Sequence, residues 1–129
     1  MNRPLPELLA PAGSIDALLA AVAAGADAVY CGLGAFNARA SAKDIEPVGF
    51  ARAVRLAHAH GVRVYVTCNV YLREHELLPA LDLVREADAA GADAFIVADV
   101  AQVRAIQRAI PHAEIHLSTQ TGVMSPAGV

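Results

Sequence analysis

Apolar residues along this chain gather into short β-branched or aromatic runs, and longer stretches of helical period separate the runs. The runs occupy residues 7–10, 27–31, 62–67, 94–98 and 114–118, and each reads as a strand. Between them apolar positions recur at i, i+3, i+4 and i+7, as in Ile15, Leu18, Leu19 and Val22. Ser14 is the cap expected for that first helix. A second helix opens near Glu46-Pro47 and runs to His60, proline being tolerated in a first turn. The third covers about 74–90, and Pro79 fits it only if it too sits in a first turn. The fourth presents Val103, Ile106 and Ile110 and stops at Pro111. Asp99 and Gln102 have the spacing of a capping box at its start.

The junctions repeat. Ala-Ala-Gly-Ala-Asp-Ala occurs at 23–28 and again at 89–94, each copy closing a helix and entering a strand. His60-Gly61-Val62 is a degenerate third copy, so Gly25, Gly61 and Gly91 punctuate the chain every 30 to 36 residues. Each glycine suits the left-handed position that ends a helix. The period is that of one strand plus one returning helix, which predicts an α/β fold with a parallel sheet. Even spacing, with no signal of a strand-order switch, favours a barrel over an open sheet, and closing one takes eight strands. The expectation is therefore one domain, 1–129, forming the N-terminal part of a (β/α)8 barrel with about five strands. Ser125-Pro126 reads as the start of a fifth helix. The first and fifth strands would expose their edges unless the remaining half of the barrel, or a second copy, covers them.

Composition narrows the class. The chain has 129 residues, is 56% hydrophobic but 5% aromatic, and so builds its interior from small side chains. No apolar run approaches the roughly 18 residues of a membrane span, and no secretory leader pattern is present. Two cysteines, Cys31 and Cys68, make no disulfide framework, which suggests a reducing cytoplasm. A net charge of −3 argues against a broad nucleic-acid-binding face, though not against a local basic patch.

In a barrel of this kind, residues just past the carboxyl ends of the strands line the active mouth. These are Asn37, Arg39, Ser41 and Lys43 after the second strand, Asn69 after the third, Asp99 after the fourth, and Ser118 and Gln120 at the fifth. Arg39 and Lys43, in an unusually long loop, would hold a phosphate or carboxylate. Asn69 and Gln120 suit the orientation of a substrate, or the anchoring of a loop, rather than proton transfer. Asp99 is explained by capping alone. Cys31 and Cys68 read as small buried hydrophobes rather than a metal or redox pair. His116 alternates with Ile115 and Leu117, and reads as a hydrogen-bonded barrel or rim histidine rather than a catalytic base. The other histidines have no partner at metal-ligand spacing. A Gly-x-Ser-x-Gly elbow, a His-Glu-x-x-His pair, a Walker loop and a dinucleotide fingerprint are all absent from the sequence.

Three stretches carry a family likeness: Pro6-Glu7-Leu8-Leu9-Ala10-Pro11-Ala12-Gly13-Ser14, Gly25-Ala26-Asp27-Ala28-Val29-Tyr30, and Phe36-Asn37-Ala38-Arg39-Ala40-Ser41-Ala42-Lys43. Tyr65-Val66-Thr67-Cys68-Asn69 and His116-Leu117-Ser118-Thr119-Gln120 extend it. Together they resemble the U32 peptidase (collagenase-like protease) family over essentially the whole chain. The resemblance implies a longer barrel protein. It also implies one of three activities: peptidase, hydroxylation of transfer-RNA or ribosomal-RNA bases, or oxygen-independent ubiquinone hydroxylation with an iron–sulfur cluster. A cluster would need ligands from sequence beyond residue 129, since two cysteines without C-x-x-C spacing do not make one. With no hydrolytic set in the mouth, the expected role is hydroxylation of an RNA base or similar planar substrate. The labelled peptidase activity on a peptide is the runner-up, and a catalytically inert assembly module is the third reading.

Overall fold

The computed structural model describes residues 5–38, 45 and 47–128 of the chain. Strands β1 (Leu9–Pro11), β2 (Ala28–Gly32), β3 (Arg63–Cys68), β4 (Ala94–Val97) and β5 (Ile115–Leu117) lie in chain order, every neighbouring pair parallel. Helices α1 (Ile15–Ala23), α2 (Pro47–Ala59), α3 (Leu77–Ala89) and α4 (Val100–Ala109) return the chain between them. Strand order never reverses, so this is the first part of a (β/α)8 barrel rather than a doubly wound sheet.

Each strand starts within two residues of where the apolar pattern placed it. The third helix differs. A 3-10 turn at Glu74–Glu76 precedes α3, closed by the Arg73 N–H donating to Glu76 Oε2 at 2.7 Å and the Glu76 N–H donating to the Arg73 carbonyl at 2.9 Å. This split puts Pro79 in the first turn of α3, where its missing N–H costs no helical bond. A second 3-10 turn, Thr119–Thr121, follows β5 and was not anticipated. Ser118 Oγ caps it by accepting the Gln120 N–H at 3.2 Å. Pro126–Gly128 forms a 3-10 turn where a fifth helix was expected to begin.

The repeated hexapeptide works as a fastener. Gly25, Gly61 and Gly91 hold φ of 84°, 72° and 98°, closing α1, α2 and α3 in the left-handed region. In the two full copies, the aspartate two residues past Gly25 or Gly91 then reaches the neighbouring strand segment. Asp27 Oδ2 accepts the Leu8 N–H at 2.7 Å, and Asp93 Oδ2 accepts the Val64 N–H at 2.7 Å. His58, at the end of α2, meets that same Asp93 oxygen at 2.8 Å.

Alternation along the strands separates two faces. Val29, Cys31, Val64, Val66, Cys68, Phe95 and Val97 pack outward against Leu18, Phe50, Val54, Val84 and Ile106 of the helices. Ala28, Tyr65 and Ala94, with Tyr30 and Ile96, form the inner face. Two expectations fail on the helices. Leu19 is 43% exposed, because α1 packs on α2 and β1 and nothing among the described residues covers its other flank. The capping box forms only in part: Asp99 accepts the Ala101 N–H at 2.7 Å, but Gln102 does not reach back. Gln102 shares the buried stripe of Ile106, one turn on, so its amide is drawn into the core. There neither of its polar atoms has a partner.

Candidate functional site

The strand tips converge as expected. A cavity of about 600 Å³ opens at the carboxyl end of the sheet, and Asn37, Asn69, Ser118 and Gln120 all border it. These four arise from β2, β3 and β5 or the loops that follow them, and the parallel order brings them to one mouth. Arg39, Ser41 and Lys43 lie outside the described residues. Asp99 serves α4 as its cap and does not line the cavity.

The polar residues of the rim also hold the loops together. Asn37 is buried at 3% exposure and donates from Nδ2 to the Gly34 carbonyl at 2.9 Å. Asn69 Oδ1 accepts the Ala38 N–H at 3.1 Å, tying β3 to the loop after β2. Leu72 N–H donates to Asp99 Oδ2 at 3.1 Å, and the Tyr71 hydroxyl donates to the Gln120 carbonyl. The loop after β3 therefore fastens the tips of β2, β4 and β5 at once. Such a rim is pre-organised: its backbone need not be ordered again when a ligand arrives.

Sequence reasoning missed much of the wall. Tyr30, Thr67 and Ile96 line the cavity from within the strands, beside His116, which reads from the sequence as a hydrogen-bonded barrel or rim histidine and is one. The signal was available in the period of two: Thr67 stands two residues before Asn69, His116 two before Ser118, and Tyr30 and Ile96 two after Ala28 and Ala94 of the inner face.

Below them lies a tier of ionisable side chains. Tyr65 donates its hydroxyl to both carboxylate oxygens of Glu7, at 2.7 and 2.8 Å. Arg63 donates to Glu114 Oε2 at 2.8 Å and stands 3.5 Å from Glu7. His116 Nε2 meets Glu114 Oε1 at 2.7 Å. These groups come from β3, from β5 with the residue before it, and from the segment entering β1. Alanines at 28 and 94 on the intervening strands leave them room to touch. Hydrogen bonds from His116 and then Arg63 hold the Glu114 carboxyl below the usual carboxylate range. Burial and the Glu7 contact push the Tyr65 hydroxyl up to about 12.

Cys31 and Cys68 are both buried within the helix-facing core. Burial, and the neighbouring Cys31, push the Cys68 thiol up to about 12, so it is a poor source of thiolate for nucleophile or metal. Among the described residues no three His, Cys, Asp or Glu side chains gather to hold a metal. Two thiols inside an apolar layer do not fit an iron–sulfur cluster.

Parallel strands in sequential order with a cavity at their carboxyl ends define a (β/α)8-type barrel protein. The chain belongs to peptidase family U32, whose family model matches residues 13–129. It is 36% identical to tRNA hydroxylation protein P1 of Bacillus subtilis over 89% of this chain and 27% of that protein. It is 39% identical to the 23S rRNA 5-hydroxycytidine synthase of Escherichia coli, over 91% of this chain and 17% of the relative. A collagenase of Porphyromonas gingivalis is 32% identical, over 91% of this chain and 28% of its own length. The chain thus spans under a third of these curated relatives. Among solved structures, DHDPS from Cyanidioschyzon merolae, with lysine bound, superposes with a TM-score of 0.58 at 15% identity. That match covers 91% of this chain and 48% of that one, a likeness of fold alone. No helix among the described residues is long and apolar enough to cross a membrane.

Proposed function

We propose that this chain forms the substrate-binding side of the barrel in a U32 enzyme that hydroxylates an RNA base. The observation that carries the reading is one cavity bordered by Asn37, Asn69, Ser118 and Gln120, four of the mouth residues the sequence singles out. About 600 Å³ falls within the size range of small-molecule sites. Its walls mix an aromatic ring (Tyr30), an apolar side chain (Ile96) and amides. Such walls suit a flat heterocycle, read by stacking and by paired donors and acceptors, once the base has left its stack. One relative named for tRNA hydroxylation and one for 5-hydroxycytidine synthesis in rRNA are identical to this chain at a third or more of the matched positions. The Arg39 and Lys43 cations of the loop after β2 are the proposed contacts to RNA phosphate.

The collagenase relative favours a second reading, peptide hydrolysis. Against it, both thiols are buried and the Ser118 hydroxyl is engaged as a cap. Closing the barrel with the remaining half, supplied by further sequence, belongs to the same proposal. So does any cluster ligand, which would have to come from that further sequence.

Nucleoside mass spectrometry decides between the readings. RNA from cells lacking the full-length gene should miss one nucleoside that is an oxygen atom heavier than its parent, and the restored gene should return it. Unchanged nucleosides, with peptides cleaved by the purified full-length protein, would move the assignment to the peptidase.

A further inference from the structure

Binding through amides and an aromatic wall leaves one lining side chain unused, His116, on which a string of ionisable groups beneath the cavity ends. Glu114 and His116 stand two residues apart, so both side chains fall on the inner face. The imidazole is held at Nε2 by Glu114 Oε1 at 2.7 Å, and the ring of Tyr65 meets it edge-on at 4.9 Å. The carboxylate itself is fixed through its other oxygen by Arg63 at 2.8 Å. His116 nevertheless remains 36% exposed and lines the cavity. A carboxylate on Nε2 keeps the proton of the neutral ring on that nitrogen and leaves Nδ1 as the acceptor. The charged or titratable groups around the ring are Glu114 beside its own strand, Arg63 and Tyr65 from β3, and Glu7 ahead of β1. A salt bridge between Arg63 and Glu114 would hold the sheet without any imidazole. What the histidine adds is a movable proton at the cavity wall.

We infer that His116 is an acid–base residue of this mouth, exchanging a proton with a ring N–H or O–H of a planar heterocycle, and that Glu114 is its positioning residue. The inference rests on the reading of the mouth as a base-binding site. In the forward step the substrate's N–H or O–H bond breaks and an Nδ1–H bond forms. The electron pair stays on the heterocycle, which becomes richer in electrons and easier to attack by an electrophile. The imidazolium so formed faces the Glu114 carboxylate, and return of the proton restores the neutral ring. Nothing is oxidised or reduced in this exchange.

The test uses the full-length protein, added to an extract of a strain that lacks the gene, with that strain's RNA as substrate. His116→Gly should lower the rate of nucleoside hydroxylation by about 100-fold or more while RNA affinity stays within twofold. Added imidazole should recover much of the rate, which a purely structural histidine would not allow. Glu114→Gln should lower the rate less, about 10-fold, and change the pH dependence of what remains. A His116→Gly protein that binds RNA and hydroxylates it at the parent rate overturns the inference and leaves the proposed function standing. A loss of rate that imidazole does not restore, with RNA affinity kept, also overturns it. If the parent protein itself forms no hydroxylated nucleoside, the proposed function falls and the inference with it.

Discussion

Asp27 and Asp93 each give one carboxylate oxygen to a backbone N–H of the strand beside them, and this explains why an aspartate sits in both copies of the hexapeptide. Loss of Asp93 strands the part-buried Val64 amide near the start of a parallel ladder, at a cost of about 1–3 kcal/mol, whereas the exposed Leu8 amide freed by loss of Asp27 turns to water. Asp93→Ala should cost more than Asp27→Ala, because the Val64 amide is part-buried and His58 shares the same oxygen. Urea denaturation of the full-length protein measures the difference. At Tyr65 the prediction concerns pH. Its hydroxyl titrates at about 12 in the folded chain, against about 10 in an unfolded one. The folded state therefore keeps a proton that the unfolded chain surrenders. This contribution is whole below about pH 10 and fades as pH rises toward 12. Tyr65→Phe should flatten the loss of stability across that window, as read by denaturation midpoints at stepped pH.

Among the elements, the helix-to-strand junctions were the most legible part of the sequence. Gly25, Gly61 and Gly91 mark them because only a residue without Cβ enters the left-handed region cheaply. The three sites are not equivalent in space. A Cβ at Gly91 would stand 3.2 Å from Val54 Cγ1, whereas nothing lies within 4 Å of one at Gly25. Both alanine variants carry the backbone cost of about 1–2 kcal/mol, and Gly91→Ala should add a packing penalty to it. Thermal unfolding of the two variants should rank Gly91→Ala lower. The apolar period also located all five strands and four helices. It failed where a contact beyond the local window decides the outcome. Gln102 has cap spacing, yet the helical stripe of Ile106 buries it. Leu19 has core spacing, yet α1 has no neighbour on that flank among the described residues. The Glu7, Arg63, Tyr65, Glu114 and His116 tier joins three strands through two intervening alanines. No single stretch of sequence displays that arrangement.

For the molecule as a whole, parallel order fixes the polarity of function. Every strand delivers its carboxyl tip to the same end, where the loop after β3 fastens its neighbours and the cavity opens. The opposite end holds the aspartate clips and carries stability. Asn37, Asn69, Ser118 and Gln120 were legible because a barrel assigns the residue after each strand to its mouth. Their neighbours Tyr30, Thr67 and Ile96 were hidden inside the apolar runs that define the strands. The central claim is that an RNA base enters at these tips. Ultraviolet cross-linking of the full-length protein to its RNA, with the attached peptides mapped by mass spectrometry, tests it most directly. Adducts should fall at residues 30–38, 67–71 and 116–120. Adducts confined to the outer helices, or to the end bearing Asp27 and Asp93, would contradict the account.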